Sequence, residues 1–317
     1  MKKRKSKINY NKWGIYFVLP FVIIYVTFSL IPLLSTLYYS FFEYFYKFGG
    51  LQKVGPNFIG LENYVTLFTE GKFFKYFGNT MIIWIFGFVP QMVVSLLLAL
   101  WFTSTRLNIK AQGFYKAIIY MPNLVMAAAF SLLFLRLFSD NGPVTNALFD
   151  IGLLDESFSF VDQNWSTRGI LSFMNYLMWF GNTTILLMAG IMGIDNSVIE
   201  SAQVDGANSL QTFFKIVLPL LRPILLFVMV TSLVGGVQMF DIPQIFTAGT
   251  GGPETGSMTV MMYISRLLGV SRQYGLAGAA STVLFMMTAV VSLGFFFLFY
   301  RKDFQESRSN KKVTANE

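Results

Sequence analysis

The chain has 317 residues, of which 54% are hydrophobic, 17% aromatic and only 13% charged, about half the charged share of a soluble domain. It contains no cysteine and no histidine, which excludes thiolate and imidazole metal sites, Cys or His nucleophile and base pairs, and disulfide staples. A formal charge of +8 would suit nucleic acid or an anionic membrane face; the cations cluster at the ends of apolar runs, so a lipid bilayer and no nucleic acid is the expected partner.

The N-terminus carries Lys2, Lys3, Arg4, Lys5, Lys7 and Lys12 ahead of an apolar run over residues 14–42. That order matches a signal peptide, but a cleaved apolar core has roughly 7–15 residues. This run is longer and holds Pro20 and Pro32, so it predicts a first, uncleaved transmembrane helix. Five further runs, 80–102, 117–138, 169–192, 216–240 and 276–300, have the roughly 20 residues that cross a hydrocarbon core. The expected fold is therefore an all-α polytopic membrane protein with six transmembrane helices. Two weaker stretches, 58–77 and 258–270, the second containing Arg266, predict interfacial or re-entrant helices.

Cations near span ends are retained in the cytoplasm. Sixteen of the 24 Lys and Arg residues fall on the side that holds both termini, so both termini are expected to be cytoplasmic. Trp13 and Trp101 fall at the inner boundary and Trp84 and Trp165 nearer the outer one, where indole rings serve as interface anchors. The domain reading is a cytoplasmic N-terminus over 1–13, a six-span transmembrane domain over 14–300, and a polar tail over 301–317 that is expected to be disordered.

One inside loop looks like more than a connector. From Ser197 a helix can start, with Glu200 three residues later closing a capping box. Gly206 permits the turn that ends it. A second short helix starting at Asn208 or Ser209 presents Leu210, Phe213 and Phe214 before Pro219 opens the next span. The loop resembles the EAA loop of ABC importer permeases: Glu200, Ala202, Asp205, Gly206, Ala207, Ile216, Leu218 and Pro219 match its Glu, second Ala, Asp-Gly-Ala and Ile-x-Leu-Pro. Ser201 replaces the first Ala and is also small and tolerated in helices. The segments Gly60-Leu-Glu-Asn-Tyr64, Tyr120-Met-Pro-Asn123, Phe246-Thr-Ala-Gly-Thr-Gly-Gly-Pro253 and Tyr274-Gly-Leu-Ala277 resemble landmarks of the carbohydrate branch, in order and at similar intervals.

The resemblance implies the type I ABC importer permease fold with a cytoplasmic coupling-helix hairpin over about residues 197–214. It also implies a second homologous permease subunit, two cytoplasmic ATPase subunits and an extracellular solute-binding protein, with a sugar as substrate. In that scheme Glu200 supplies charge to the ATPase contact, Gly206 the turn, and Ala202 and Ala207 close packing; Asp205, Leu218 and Pro219 complete the motif. The Gly-rich stretch 248–256 lacks the Gly-Lys-Ser/Thr ending of a phosphate loop and reads as a turn-forming loop. No cofactor is expected on this chain: ATP and magnesium belong to the partner ATPase, and this chain is not itself an enzyme.

Polar residues inside spans are costly unless they face protein or water. In the fourth span Asn175, Trp179 and Asn182 fall at spacings of four and three, on one helical face. An indole stacks on the apolar face of a pyranose, and amides exchange hydrogen bonds with hydroxyls in either direction. In related sugar permeases this part of the fourth span lines the sugar site; interhelical hydrogen bonding without a ligand is the alternative. Gln238, Asp241 and Gln244 continue the argument at spacings of three near the outer end of the fifth span, where an interfacial polar end is the alternative. A purely anionic solute would favour a mid-depth cation, and the spans hold none; glycerol phosphate or a polyamine remains the runner-up within the same fold. An intramembrane hydrolase lacks its Ser-His, paired-Asp or metal site, and an ion channel lacks a filter segment.

Overall fold

The structure is a computed structural model that describes residues 10–70, 72–104, 107, 110–155 and 158–314, with side chains described between 13 and 299. Lys2, Lys3, Arg4, Lys5, Lys7 and Arg106, which entered the orientation count, lie outside the described residues. The chain divides into two compact units, residues 1–70 with 264–284 and residues 71–263 with 285–317.

In the first unit, α1 (Tyr10–Tyr25) passes through a π turn, Val26–Leu30, into α2 (Ile31–Tyr39). Pro32 has no N–H for a regular helical bond, and the widened turn just before it accommodates its ring. The apolar stretch Trp13–Tyr39 is 27 residues long, as a first span requires. Next comes an antiparallel hairpin, β1 (Phe42–Lys47) and β2 (Gln52–Phe58), which the all-helical reading missed. The aromatic run of β1 favours a pleated strand, and Gly49 and Gly50, at φ 66° and 108°, supply the turn. Then α3 (Glu62–Thr69) takes the place of the first predicted short helix. The amide of Asn63 donates to the carbonyls of Ser40 and Phe42, both at 2.9 Å, tying α3 back to the junction of α2 and β1.

The second unit opens with α4 (Lys72–Thr103). Its buried residues Ile83, Gly87, Gln91, Ser95 and Ala99 recur every four positions, one helical face. The predicted third span is broken: α5 (Gln112–Leu124) and α6 (Ala127–Leu137) meet at 91°. Pro122 lacks the N–H for its helical bond, and Val125 and Met126 adopt extended ψ values of 133° and 131°. Asn123 then donates to the Met178 carbonyl at 3.1 Å. After α7 (Pro143–Asp150) comes α8 (Asn164–Met192), the central helix, which packs against α4 and α5. A Cβ at Gly181 would overlap the Ile119 carbonyl, so α5 approaches α8 as closely as backbone allows.

The loop helices α9 (Asn196–Val204) and α10 (Ser209–Thr212) lead through a π turn, Phe213–Val217, into α11 (Leu218–Leu220) and α12 (Arg222–Val237). After α12 the chain turns into α13 (Asp241–Phe246), and later α14 (Val260–Gly269) and α15 (Tyr274–Thr314). α14 matches the second predicted short helix. Five helical stretches among the described residues are long and apolar enough to cross a membrane, or six if the bent α5–α6 pair is one broken span. The tail expected to be disordered continues α15 to Thr314; propagating a formed helix through Lys, Arg, Gln and Glu is cheap compared with nucleating one. Trp84, expected as an outer interface anchor, is 6% exposed. It stacks on Phe88, donates to Ser232 Oγ at 3.2 Å, and fills the space left by Gly236, so it packs helix on helix.

Candidate functional site

The polar face of α8 opens onto a cavity of about 370 Å³, within the range of small-ligand pockets, about 300–1,000 Å³. Asn175, Trp179 and Asn182 all line it, opposite Thr231 and Ser232 of α12. Asn175 is 7% exposed and Trp179 43%, so the amide sits deep and the indole presents a broad face. No lining residue carries a charge. The wall is therefore apolar surface with amides and hydroxyls, chemistry that fits a neutral polyhydroxy solute.

Hydrogen bonds between α4 and α8 hold this wall still. Ser172 Oγ donates to the Ile83 carbonyl at 3.0 Å and Ser95 Oγ to the Phe180 carbonyl at 2.7 Å. Gln91, between them, donates its amide N–H to Thr183 Oγ1 at 2.7 Å and also lines the cavity. Sequence reading missed Gln91, although a glutamine in mid-span is itself the signal. Gln238 and Asp241 do not line the cavity. α12 ends at Val237, and Phe240, at φ −129° and ψ −59°, breaks the helix before α13, so the helical spacing between those two residues does not place them on one face.

At the far end of α8 the loop residues form a hairpin of two helices. Asp195, not Ser197, caps α9: its carboxylate accepts from the Ser197 N–H at 2.9 Å. Aspartate caps at least as well as serine and gains from the positive end of the helix. That backbone hydrogen bond, with the Ser197 side chain, holds the Asp195 carboxyl below the ordinary carboxylate value. At the other end Gly206, at φ +80°, closes α9. The Ala207 N–H donates to the Ala202 carbonyl at 2.9 Å and the Gly206 N–H to the Gln203 carbonyl at 3.1 Å, the two bonds of a Schellman cap. Asn208 and Gln211 form a reciprocal capping box at 2.8 and 3.0 Å, which starts α10.

Ala202 is buried, whereas Glu200 and Asp205 are exposed and Ala207 half-buried. Val204, Leu210 and Phe214 are 88%, 69% and 60% exposed, an apolar rim on a rigid turn. Leu218 packs at the edge of a core of Ala99, Leu187, Met188, Leu221 and Leu225, and Pro219 occupies the first turn of α11. The hairpin is thus rooted in the same helices that line the cavity.

A third arrangement binds the Gly-rich loop to the opposite end of α8. Lys75 Nζ donates to the Glu254 carbonyl at 2.7 Å, Asn79 Nδ2 to the carbonyls of Thr255 and Met258 at 3.1 and 3.2 Å, and Arg168 Nε to that of Gly256 at 2.8 Å. These bonds go to backbone carbonyls, so Lys75, Asn79 and Arg168 hold the loop's conformation.

Residues 91–305, which hold the cavity walls and the hairpin, match the family described as binding-protein-dependent transport system inner membrane component. The chain belongs to this family. The permease is 30% identical to the lactose transport system permease protein LacF of Rhizobium radiobacter over 89% of this chain and 92% of that one. It is 28% identical to the multiple sugar-binding transport system permease protein MsmF of Streptococcus mutans over 90% and 95%. A chain of a bacterial alginate ABC transporter, solved in complex with an alginate pentasaccharide-bound periplasmic protein, matches with a TM-score of 0.70 at 25% identity, over 94% of the permease and 96% of that chain. The permease is accordingly a multi-pass inner membrane protein.

Proposed function

We propose that this permease forms, with a second homologous permease, the translocation path of an ATP-driven importer for a neutral sugar, most simply an oligosaccharide. The observation that carries the reading is the uncharged cavity lined by Asn175, Trp179 and Asn182, and the names of the curated relatives agree with it. Two cytoplasmic ATPase subunits hold ATP and magnesium, and an extracellular binding protein delivers the solute; the permease supplies no catalytic residue. With both termini in the cytoplasm, the hairpin over 197–214 faces the ATPase and acts as coupling helix. Its caps make it rigid, so displacement at Val204 and Leu210 is passed to α8 and α12, and the cavity opens to one side or the other.

The test is uptake of labelled neutral oligosaccharides into vesicles that hold the permease with its co-purifying partners, comparing the natural chain with Gly206→Pro. ATP-dependent uptake of one sugar that is lost in an assembled Gly206→Pro complex supports the reading. Flux that continues without ATP points to a channel and overturns it.

A further inference from the structure

At the end of the β1–β2 hairpin, apolar and cationic side chains stand together on the surface. Phe48 and Leu51, at its tip, are 75% and 90% exposed, and Val270, on the segment beside it, is 83% exposed. Lys47, Lys53 and Arg272 are exposed around them. Lys47 and Lys53 turn back over the rings of Phe45 and Tyr44, at 5.4 and 5.2 Å, and the Arg272 guanidinium occupies the space where a Cβ of Gly50 would stand. Residues 44–61 and 265–285 together hold four cations and no acidic residue, so no carboxylate of either segment neutralises this end.

The depth of this surface follows from what the hairpin pairs with. The Tyr46 N–H donates to the Arg272 carbonyl at 3.1 Å, Lys53 is paired opposite Tyr46, and the rings of Tyr44 and Tyr46 lie against that of Tyr274 at 5.1 and 5.8 Å between centroids. Tyr274 begins the apolar stretch Tyr274–Phe299. Arg272 stands two residues before it, about 7 Å along an extended backbone. The headgroup layer on each face of a bilayer is about 5–8 Å deep, so the cations sit at the level of the lipid phosphates.

We infer that the hairpin tip, with Arg272, is a docking surface for anionic phospholipid: Lys47, Lys53 and Arg272 meet lipid phosphates, while Phe48, Leu51 and Val270 enter the boundary between headgroups and acyl chains. Cations beside exposed apolar side chains are the composition that holds a segment at an anionic interface. A protein partner at this depth would first have to displace the headgroups. The inference stands apart from the sugar reading and does not depend on it.

The chain has no cysteine, so Gln52→Cys, exposed next to Leu51, takes one fluorophore in the full permease with its co-purifying partners, the unsubstituted complex giving the background. The complex is placed in vesicles of phosphatidylcholine with or without phosphatidylglycerol. Quenching by neutral acrylamide is then set against quenching by a lipid that carries a nitroxide at its headgroup. Phosphatidylglycerol is expected to shield the label from acrylamide and expose it to the nitroxide. Lys47→Gln and Lys53→Gln each shift the ratio of lipid-seated to water-exposed label about fivefold toward water. Arg272→Gln is expected to do the same; the two lysine variants decide the matter if it does not assemble, since its side chain packs on Gly50. Equal acrylamide access in both lipids, or lysine variants that match the natural chain, overturns the inference. Shielding that appears only with an added solute-binding protein overturns it in favour of a protein contact, and shielding that inorganic phosphate produces without phosphatidylglycerol overturns it in favour of a free-anion site.

Discussion

The Arg168 guanidinium donates to the Asn79 amide oxygen at 2.7 Å, joining the start of α8 to the first turns of α4. Asn79, 4% exposed, spends its N–H groups on the Thr255 and Met258 carbonyls, 176 and 179 residues away along the chain, and Arg168 reaches the same loop at Gly256, 88 residues away. Removing Asn79 leaves a half-buried cation and two carbonyls without these bonds. Asn79→Ala is expected to lower stability by about 3 kcal/mol, read as a drop in the unfolding temperature of the detergent-solubilised permease. Asn79→Ala and Arg168→Ala together should cost less than the sum of the two, since they share one bond; full additivity would show that the pair is not coupled.

Gly206 has no neighbour within 4 Å of an added Cβ, but its φ is +80°. Gly206→Ala therefore meets backbone strain alone, about 1 kcal/mol, and Gly206→Asn less. The expected outcome is partial loss of sugar-stimulated ATP hydrolysis with alanine and near-normal coupling with asparagine. Gly206→Pro removes the N–H that bonds Gln203 and cannot reach this φ, so coupling should be abolished. Equal activity of all three variants would sink the view that the turn must be rigid.

The spans were readable because apolar length is a composition signal, and the hairpin because Gly206 and Asn208 are strong local punctuation. What the sequence hid was decided by partners far along the chain. Trp84 looked like an interface ring until Gly236 on α12 made room for it; Gln91 and Thr183 are 92 residues apart. The break at Val125 was within reach, since Pro122 stands inside the run, but prolines in membrane helices often only kink. β1 was lost because aromatic residues serve a span and a strand equally well.

Asp195 offers a pH test. Its folded carboxyl sits below the ordinary value of 3.8, chiefly through the Ser197 backbone N–H. A depressed carboxylate stabilises the cap at pH above the unfolded value, and the benefit fades as pH falls through the lowered one. At neutral pH, Asp195→Ala is expected to speed hydrogen exchange of the first turn of α9 in the assembled permease, and Asp195→Asn, still a capping residue, to leave it slow. As pH falls through that lowered value, the protection of this turn relative to the intrinsic exchange rate should drop in the natural chain and hold in Asp195→Asn.

Gly181 tests the docking of α5. A side chain there runs into the Ile119 carbonyl and lies close to Tyr120 Cα, and the α5 backbone cannot yield without losing the bond from Asn123 to Met178. Gly181→Ala is expected to cost about 2–3 kcal/mol by overpacking, seen as weaker thermal stability. Trp179 and Asn182 lie on either side of Gly181 and line the cavity, so a displaced α5 would disturb their support as well. The surviving Gly181→Ala complexes should therefore bind the binding protein normally yet transport sugar more slowly, whereas unchanged transport would show that α5 is not part of the wall's support.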